Sequence, residues 1–194
     1  ERTARRFLKS LDKEIVIDDY EWYTIHKAEK EQINTLRQRI KEKKNIAIIS
    51  EAGCPGIADP GQLLIHEAQK LNVIVRPLVG PSSILLALMA SGLNGQQFCF
   101  SGYLPINNHE RNKKIKQLEE ESIKKSSTQI FIETPFRNNK ILESILQNCK
   151  PSTRLCIAVD ITSPNESIKT KSIAEWGNEK TDLHKKPVIF LLLG

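Results

Sequence analysis

Residues 50–61 have the composition of a ligand-binding loop. They read Ser-Glu-Ala-Gly-Cys-Pro-Gly-Ile-Ala-Asp-Pro-Gly, and three glycines and two prolines in so short a segment exclude both a strand and a regular helix. The segment follows an apolar run that ends at Ile49 and predicts a strand. In open α/β sheets, ligands bind beyond the carboxyl ends of strands. The sequence therefore predicts a binding site at this loop, built on backbone groups that a ligand can approach closely.

The same loop lacks the features of a phosphate-binding site. Neither G-x-x-x-x-G-K-[ST] nor G-x-G-x-x-G occurs in the chain, and no lysine stands in residues 50–61. The pattern favours a ligand that is held by backbone polar groups and apolar contact.

Two further segments follow apolar runs and could carry chemistry. Residues 80–83 (Gly-Pro-Ser-Ser) come after the run at residues 73–79, and they either cap a helix or face the same crevice as the first loop. Residues 133–137 follow another run, and their Glu133 and Arg137 either pair at the surface or project into a cleft. Both alternatives stay open for each segment.

Apolar runs of strand length alternate with helical segments, which predicts an α/β protein with largely parallel strands. Runs that are apolar throughout are typical of strands covered on both faces. The predicted strands are residues 45–50, 73–79, 98–103, 129–132, 155–161 and 188–193, and the predicted helices are residues 1–11, 30–43, 62–71, 82–91, 111–125 and 138–149.

A change to polar and basic composition after Leu104 predicts a domain boundary there. The domains would then be residues 1–104 and 105–194. Each is small for an isolated α/β domain, so we expect a substantial interface between them or a dimer. Because the chain begins with Glu1 inside a predicted helix, we also expect that its original start is missing.

The composition limits the remaining classes. The chain has 194 residues, 39% apolar and 27% charged, and no run approaches the roughly 18 apolar residues of a membrane span. A formal net charge of +6 is compatible with an anionic partner. The basic cluster at residues 111–116 fits a solvated helix face or a patch that faces nucleic acid, and His26 and His109 fit polar loop positions or RNA contacts.

The cysteines are scattered, which predicts neither a zinc site nor any other metal site. Nothing in a chain of this size requires disulfides, so we expect reduced thiols and a cytoplasmic location. The four cysteines are Cys54, Cys99, Cys149 and Cys156.

Four segments together resemble the tetrapyrrole methylase superfamily of S-adenosylmethionine-dependent methyltransferases, and within it the branch that methylates a ribose 2′-hydroxyl in 16S ribosomal RNA. Residues 50–61 resemble that branch's S-D-A-G-T-P-x-I-S-D-P-G, and residues 80–83 resemble G-P-S-A. Residues 100–105 resemble F-x-G-F-L-P, and residues 131–137 resemble Y-E-S-P-H-R. The segments occur in the same order along the chain. One departure is that residues 158–162 lack the Arg-Glu pair of the branch's A-R-E-L-T-K.

The resemblance implies two α/β domains with S-adenosylmethionine in the cleft between them, usually in a homodimer, and ribosomal RNA as the partner. Glu133 would be the catalytic base that takes the proton of the ribose hydroxyl. By motif, the cofactor-binding residues would be Gly53, Cys54, Ile57, Ser82, Ser83, Ile132, Ala158 and Pro187.

Three other functions stay open from the sequence. One is methylation of another acceptor within the superfamily, a tetrapyrrole or a protein side chain. Another is a non-catalytic relative that binds the cofactor or RNA, which the missing Arg-Glu pair would suit. The third is a hydrolase that uses Cys54 with His66.

Overall fold

The computed structural model describes residues 1–25 and 29–194, so the prediction for His26 lies outside the described residues. A short 3₁₀ helix covers Ile17–Asp19. The α-helices are α1 (Arg2–Leu11), α2 (Gln32–Lys41), α3 (Gln62–Lys70), α4 (Ser83–Ser91), α5 (Asn108–Lys125), α6 (Asn138–Asn148) and α7 (Ile173–Gly177). The strands are β1 (Phe98–Tyr103), β2 (Thr128–Ile132), β3 (Arg154–Val159), β4 (Ser167–Ser172) and β5 (Val188–Leu193).

The strands form one sheet in the order β1-β2-β5-β3-β4, and the α/β class predicted from the sequence is confirmed. β1 runs parallel to β2, whereas the pairs β2–β5, β5–β3 and β3–β4 are antiparallel. The prediction of largely parallel strands is therefore wrong. An apolar run indicates that both faces of a strand are covered. It does not indicate whether the neighbouring strand is parallel or antiparallel.

Helices cover both faces of this sheet. Phe131 of β2 and Phe190 of β5 stack at a centroid distance of 5.7 Å within the core that contains side chains of α5, α6 and α7. On the opposite face, Ala158 and Ile189 belong to a second core that contains side chains of α4. Every residue of β5 is buried, because this strand lies in the middle of the sheet with helices on both sides.

β4 and α7 were not predicted. β4 reads Ser-Ile-Lys-Thr-Lys-Ser and pairs with β3 alone, so it is an edge strand without an apolar pattern. Lysine in such a strand discourages pairing with a further chain. The hydrophobic signal used to find the other strands is therefore absent from β4.

Residues 1–82 form one compact unit and residues 83–194 a second. Among the described residues of the first unit there are helices but no strand, so the predicted strands at residues 45–50 and 73–79 are wrong. A strand requires a hydrogen-bonded neighbour, and no ladder joins either run to another segment in this part of the chain. Most of their apolar side chains are exposed, as Leu78 shows at 90%.

The division between the units falls after Ser82, so α4 and β1 belong to the second unit. The sequence placed the domain boundary after Leu104 instead, and that boundary stays a prediction. Over the described residues, none of the helices is both long enough and apolar enough to cross a membrane.

Arg111 is a buried residue that holds a turn in place, although the sequence placed it in a basic surface cluster. Its guanidinium donates to Ser144 Oγ on α6 at 3.0 Å, to the backbone oxygen of Ile106 at 3.0 Å, and to Asn108 Oδ1. The residue is only 4% exposed. Arg111 therefore fixes the turn between β1 and α5 against α6.

We expect the substitution Arg111→Met to lower the free energy of unfolding by about 2–4 kcal/mol, because buried oxygen acceptors would lose their donor. Urea unfolding measures this quantity. Lys113→Met, at an exposed position of the same helix, is the matched control and should change it by less than about 0.5 kcal/mol. Equal losses in the two variants would contradict the anchoring role.

Candidate functional site

The loop at residues 50–61 has a backbone that depends on glycine. Gly53, Gly56 and Gly61 have positive φ values of +78°, +79° and +127°. Residues with a Cβ atom rarely adopt such values, whereas glycine does so without strain. The amide of Gly56 donates to the backbone oxygen of Pro60 at 3.2 Å, which turns the chain back on itself. The prediction that this segment is neither helix nor strand is confirmed.

The first amides of α3, which follows this loop, are bonded to a carboxylate of the same unit. Glu29 Oε1 accepts from the amides of Gly61 at 3.0 Å and of Leu63 at 2.7 Å. These are the groups that a phosphate would take up at a helix N-terminus. The arrangement agrees with the interpretation that the loop does not bind phosphate.

The two predicted loops of the first unit lie in contact. Cys54 Sγ is 3.6 Å from the backbone oxygen of Pro81 and 3.9 Å from that of Gly80, and a thiol donates weakly at such distances. The sequence left open whether these loops would meet, and the structure shows them in contact. Their role in binding a ligand stays a prediction.

The surface around this contact offers backbone polar groups and apolar side chains. A Cβ atom added at Gly53 or Gly80 would meet nothing within 4 Å, so the backbone there is open to a ligand. Ile57, which follows Cys54 by three residues, is 54% exposed. The adenosine part of the cofactor that the resemblance implies has an uncharged purine and a ribose with hydrogen-bonding groups, and backbone polar groups beside an apolar side chain fit that part.

The remaining predicted cofactor residues are distributed over the second unit and its start. Ser82 is half-buried at the end of the first unit, and Ser83 begins α4 and is exposed. Ile189 in β5 lies opposite both Ile132 in β2 and Ala158 in β3, so the three residues form one row on one face of the sheet.

Pro187 lies just beyond this row. Its backbone oxygen accepts from the amide of Asp160 at 3.0 Å, which continues the pairing of β5 with β3. Pro187 is exposed and Ile132 is half-buried, whereas the side chain of Ala158 is covered within the core. The structure thus brings Ile132, Ala158 and Pro187 to one end of the sheet, and their role in cofactor binding stays a prediction.

Glu133 follows β2 directly, and its side chain is completely buried. Oε1 accepts from the amide of Thr134 at 2.7 Å, and Oε2 lies 2.9 Å from Arg137 Nη2. No N–H of the guanidinium points at Oε2, so this contact is an ion pair without a well-directed hydrogen bond. Arg137 Nη2 also donates to the backbone oxygen of Pro105 at 3.3 Å. Of the two alternatives for Glu133 and Arg137, the pairing is present, with Glu133 buried and Arg137 half-buried.

Sequence reasoning missed a group of contacts that joins residues 133–137 to residues 182–187. The amide of Lys185 donates to the backbone oxygen of Pro135 at 3.0 Å, and the rings of Phe136 and His184 lie 6.0 Å apart. Asn138, which is fully buried, donates through Nδ2 to the backbone oxygen of Lys186 at 2.7 Å. Asparagine at the start of a helix usually signals a cap, so its type alone did not indicate a long-range contact.

In residues 1–25 and 29–194, no three side chains of the metal-ligating types come close enough to hold an ion. The four cysteines are free thiols. Burial raises the pKa of Cys149 to about 12 and also raises that of Cys156. Both thiols are therefore protonated and unreactive at neutral pH.

Comparison with known proteins identifies the family. Residues 1–176 match the tetrapyrrole (corrin/porphyrin) methylases. Ribosomal RNA small subunit methyltransferase I of Buchnera aphidicola subsp. Schizaphis graminum (strain Sg) is 33% identical over 168 residues, which cover 85% of this chain and 58% of that protein. The protein of the same name from Escherichia coli O157:H7 is 31% identical over 169 residues, 86% of this chain and 58% of that protein. The chain thus spans under three fifths of the length of these curated relatives.

Solved structures share the fold. The crystal structure of the methyltransferase CobJ gives a TM-score of 0.58 at 16% identity, covering 84% of this chain and 70% of that chain. The uroporphyrin-III C-methyl transferase from Thermus thermophilus, complexed with S-adenyl homocysteine, gives 0.50 at 15% identity, covering 100% and 90%. At these identities the likeness concerns the fold. Together with the match over residues 1–176, it confirms the resemblance: the chain belongs to the tetrapyrrole (corrin/porphyrin) methylase family.

Proposed function

We propose that this protein transfers a methyl group from S-adenosylmethionine to a ribose 2′-hydroxyl of ribosomal RNA. The observation that carries the proposal is the 33% identity over 168 residues to a ribosomal RNA small subunit methyltransferase I. The formal net charge of +6 suits a polyanionic partner. A cytoplasmic location, where ribosomes are, and a homodimer complete the proposal.

The cofactor site in this proposal is built on the two loops of the first unit. Bound S-adenosylmethionine would supply a methyl group on a positively charged sulfur, which is already a good leaving group. The protein's own contribution is therefore positioning. Gly53 and Gly80 leave the backbone open to approach, Cys54 joins the two loops, and Ile57 offers an apolar side chain.

The other cofactor residues are carried over from the motifs. Ser82 and Ser83 directly continue the second loop. Ile132, Ala158 and Pro187 share one end of the sheet in the second unit. Because the side chain of Ala158 is buried in the core, it would support this end of the sheet rather than touch the cofactor.

Glu133 has two candidate roles in this reaction. A ribose hydroxyl must lose its proton as it attacks, and a nearby carboxylate is a suitable base. The contacts favour a different role, because both carboxylate oxygens already face groups of the 133–137 turn. In that role Glu133 is a positioning residue that keeps Arg137 bonded to Pro105.

Two measurements test the proposed function. Isothermal titration of the protein with S-adenosylmethionine should show saturable binding, and mass spectrometry of ribosomal RNA should show one ribose methyl group that is missing in cells lacking the protein. Unchanged ribose methylation in those cells would exclude ribosomal RNA as the acceptor. Absence of binding in the titration would exclude the cofactor.

We expect Gly53→Ala to weaken S-adenosylmethionine binding by about tenfold or more, which corresponds to about 1.4 kcal/mol, because a methyl group would stand where the backbone must approach the cofactor. Gly92→Ala is the matched control, since Gly92 has a φ of +67° and equally open surroundings outside the two loops. Both variants should lose about 1–2 kcal/mol of stability from the strained backbone. Equal affinities in the titration would remove Gly53 from the site.

For Glu133→Gln we expect kcat to fall by less than about tenfold, with a similar fall in Arg137→Gln, because either change breaks the same ion pair. Methyl transfer to small ribosomal subunits gives kcat, and thermal unfolding checks that both variants fold. A loss of about 10²–10⁴-fold in Glu133→Gln alone would identify Glu133 as the base.

A further inference from the structure

We propose that Phe136, His184 and Lys185 form a surface on which an unpaired base of RNA stacks, with Lys185 facing the adjoining phosphate. The proposal rests on the proposed function and assigns the surface that holds a single-stranded segment of the ribosomal RNA. We call these three residues the stacking surface.

Phe136 is a large apolar residue that lies mostly exposed to solvent. The side chain is 68% exposed, although burial of so large a ring is strongly favourable. Its neighbour His184 meets it at 71°, in an edge-to-face arrangement. In this geometry each ring keeps at least one face that the other ring does not cover. A planar base can therefore stack on the pair.

The segment that carries His184 and Lys185 is fixed to α6 by hydrogen bonds. Asp182 Oδ1 accepts from Asn139 Nδ2 at 2.8 Å and from the amide of His184 at 3.0 Å. These bonds, the one from Asn139 above all, hold the pKa of the Asp182 carboxyl below its ordinary value, so the anchor is ionised at neutral pH. Asn139 Oδ1 in turn accepts from the amide of Leu183 at 2.8 Å.

The same segment is fixed to the turn that carries Phe136. The amide of Lys185 donates to the backbone oxygen of Pro135 at 3.0 Å, and Asn138 bonds the backbone oxygen of Lys186. Both parts of the stacking surface are thus held before any ligand binds. Because these contacts exist before binding, less conformational entropy is lost when a ligand binds.

The charges near the stacking surface favour a phosphate. Lys185 is exposed, and it occupies a left-handed backbone position with φ of +60°. Lys186 Nζ is held by the backbone oxygen of Asp182 at 3.0 Å, and Arg137 is paired with Glu133. Asp182 keeps its negative charge, and its Oδ1 accepts the hydrogen bonds that anchor the segment. Lys185 is therefore the cation placed to meet an incoming anion.

Aromatic rings beside a cation are how proteins bind single-stranded nucleic acid, because every base has a stackable face and every nucleotide a phosphate. A duplex hides its base faces and would use the lysine alone. An apolar protein partner would use Phe136 and gain nothing from Lys185. The combination therefore favours unpaired RNA over both.

The test measures the affinity of the full chain for a short fluorescein-labelled oligouridine by fluorescence anisotropy, at several salt concentrations. We expect Phe136→Ala and Phe136→Leu to weaken binding by about five- to a hundredfold, the range for one stacked base, and Phe136→Trp to retain it within about twofold. Lys185→Gln should weaken binding and reduce the salt dependence by about one phosphate contact. Duplex RNA of the same length should be insensitive to Phe136→Leu.

Two matched controls change residues that are not part of the stacking surface. Phe7→Ala removes an exposed ring from α1, and Lys150→Gln removes an exposed charge just after the far end of α6. Neither should change the affinity by more than about twofold. Because Phe136 is exposed, its variants should have the same melting temperature as the wild-type protein, which thermal unfolding measures.

Titration with S-adenosylmethionine and methyl transfer to small ribosomal subunits are measured on the same preparations. A wild-type protein that methylates subunits, with Phe136→Leu equal to it in oligouridine affinity, would overturn the stacking surface and leave the proposed function standing. A protein that binds neither the cofactor nor RNA would overturn both. Selective loss of oligouridine binding with intact cofactor binding supports the stacking surface.

Discussion

The second unit depends on β5 being hydrogen-bonded on both sides. β5 pairs with β2 through one edge and with β3 through the other, and Ile189 lies opposite a residue of each. Because a slip of one residue would move every side chain to the other face, this double pairing fixes the register of three strands at once. The ends of β2 and β3 and the start of β5 are therefore brought to one place. Ile132, Ala158 and Pro187 are neighbours for that reason and not because of any local sequence signal.

Neighbouring residues of β2 belong to different cores. Phe131 belongs to the core with α5 and α6, whereas Ile132 belongs to the face that α4 packs against. Since neighbouring residues of a strand face opposite sides, the strand does not direct a residue adjacent to Ile132 toward the same face. Glu133 is held instead by Arg137 and the amide of Thr134.

The sequence predicted α1 to α6 and the strands β1, β2, β3 and β5 close to their observed positions, and it failed where pattern and environment diverge. β4 has the composition of an exposed loop, and only its pairing with β3 makes it a strand. Residues 73–79 have a strand-like pattern, but no neighbour bonds them in the described chain. Arg111 looked like a surface charge because charge is visible in a sequence and the partners Ser144 and Ile106 are not. The contact of Cys54 with residues 80–81 was one alternative from the sequence, and it is present although the two strands from which it was argued are not.

The two functional regions differ in the way their backbone is stabilised, and the difference matches what each would bind. The loop at residues 50–61 relies on glycines with positive φ and on the Glu29 carboxylate, which uses up the amides that would attract a phosphate. That leaves a surface suited to a ligand with little negative charge. At residues 182–187 Asp182 Oδ1 accepts the anchoring hydrogen bonds, and Lys185 is exposed. In the proposed function the loop at residues 50–61 would contact the methyl donor, and the amides bonded to Glu29 make it less attractive to phosphate than the exposed Lys185 is.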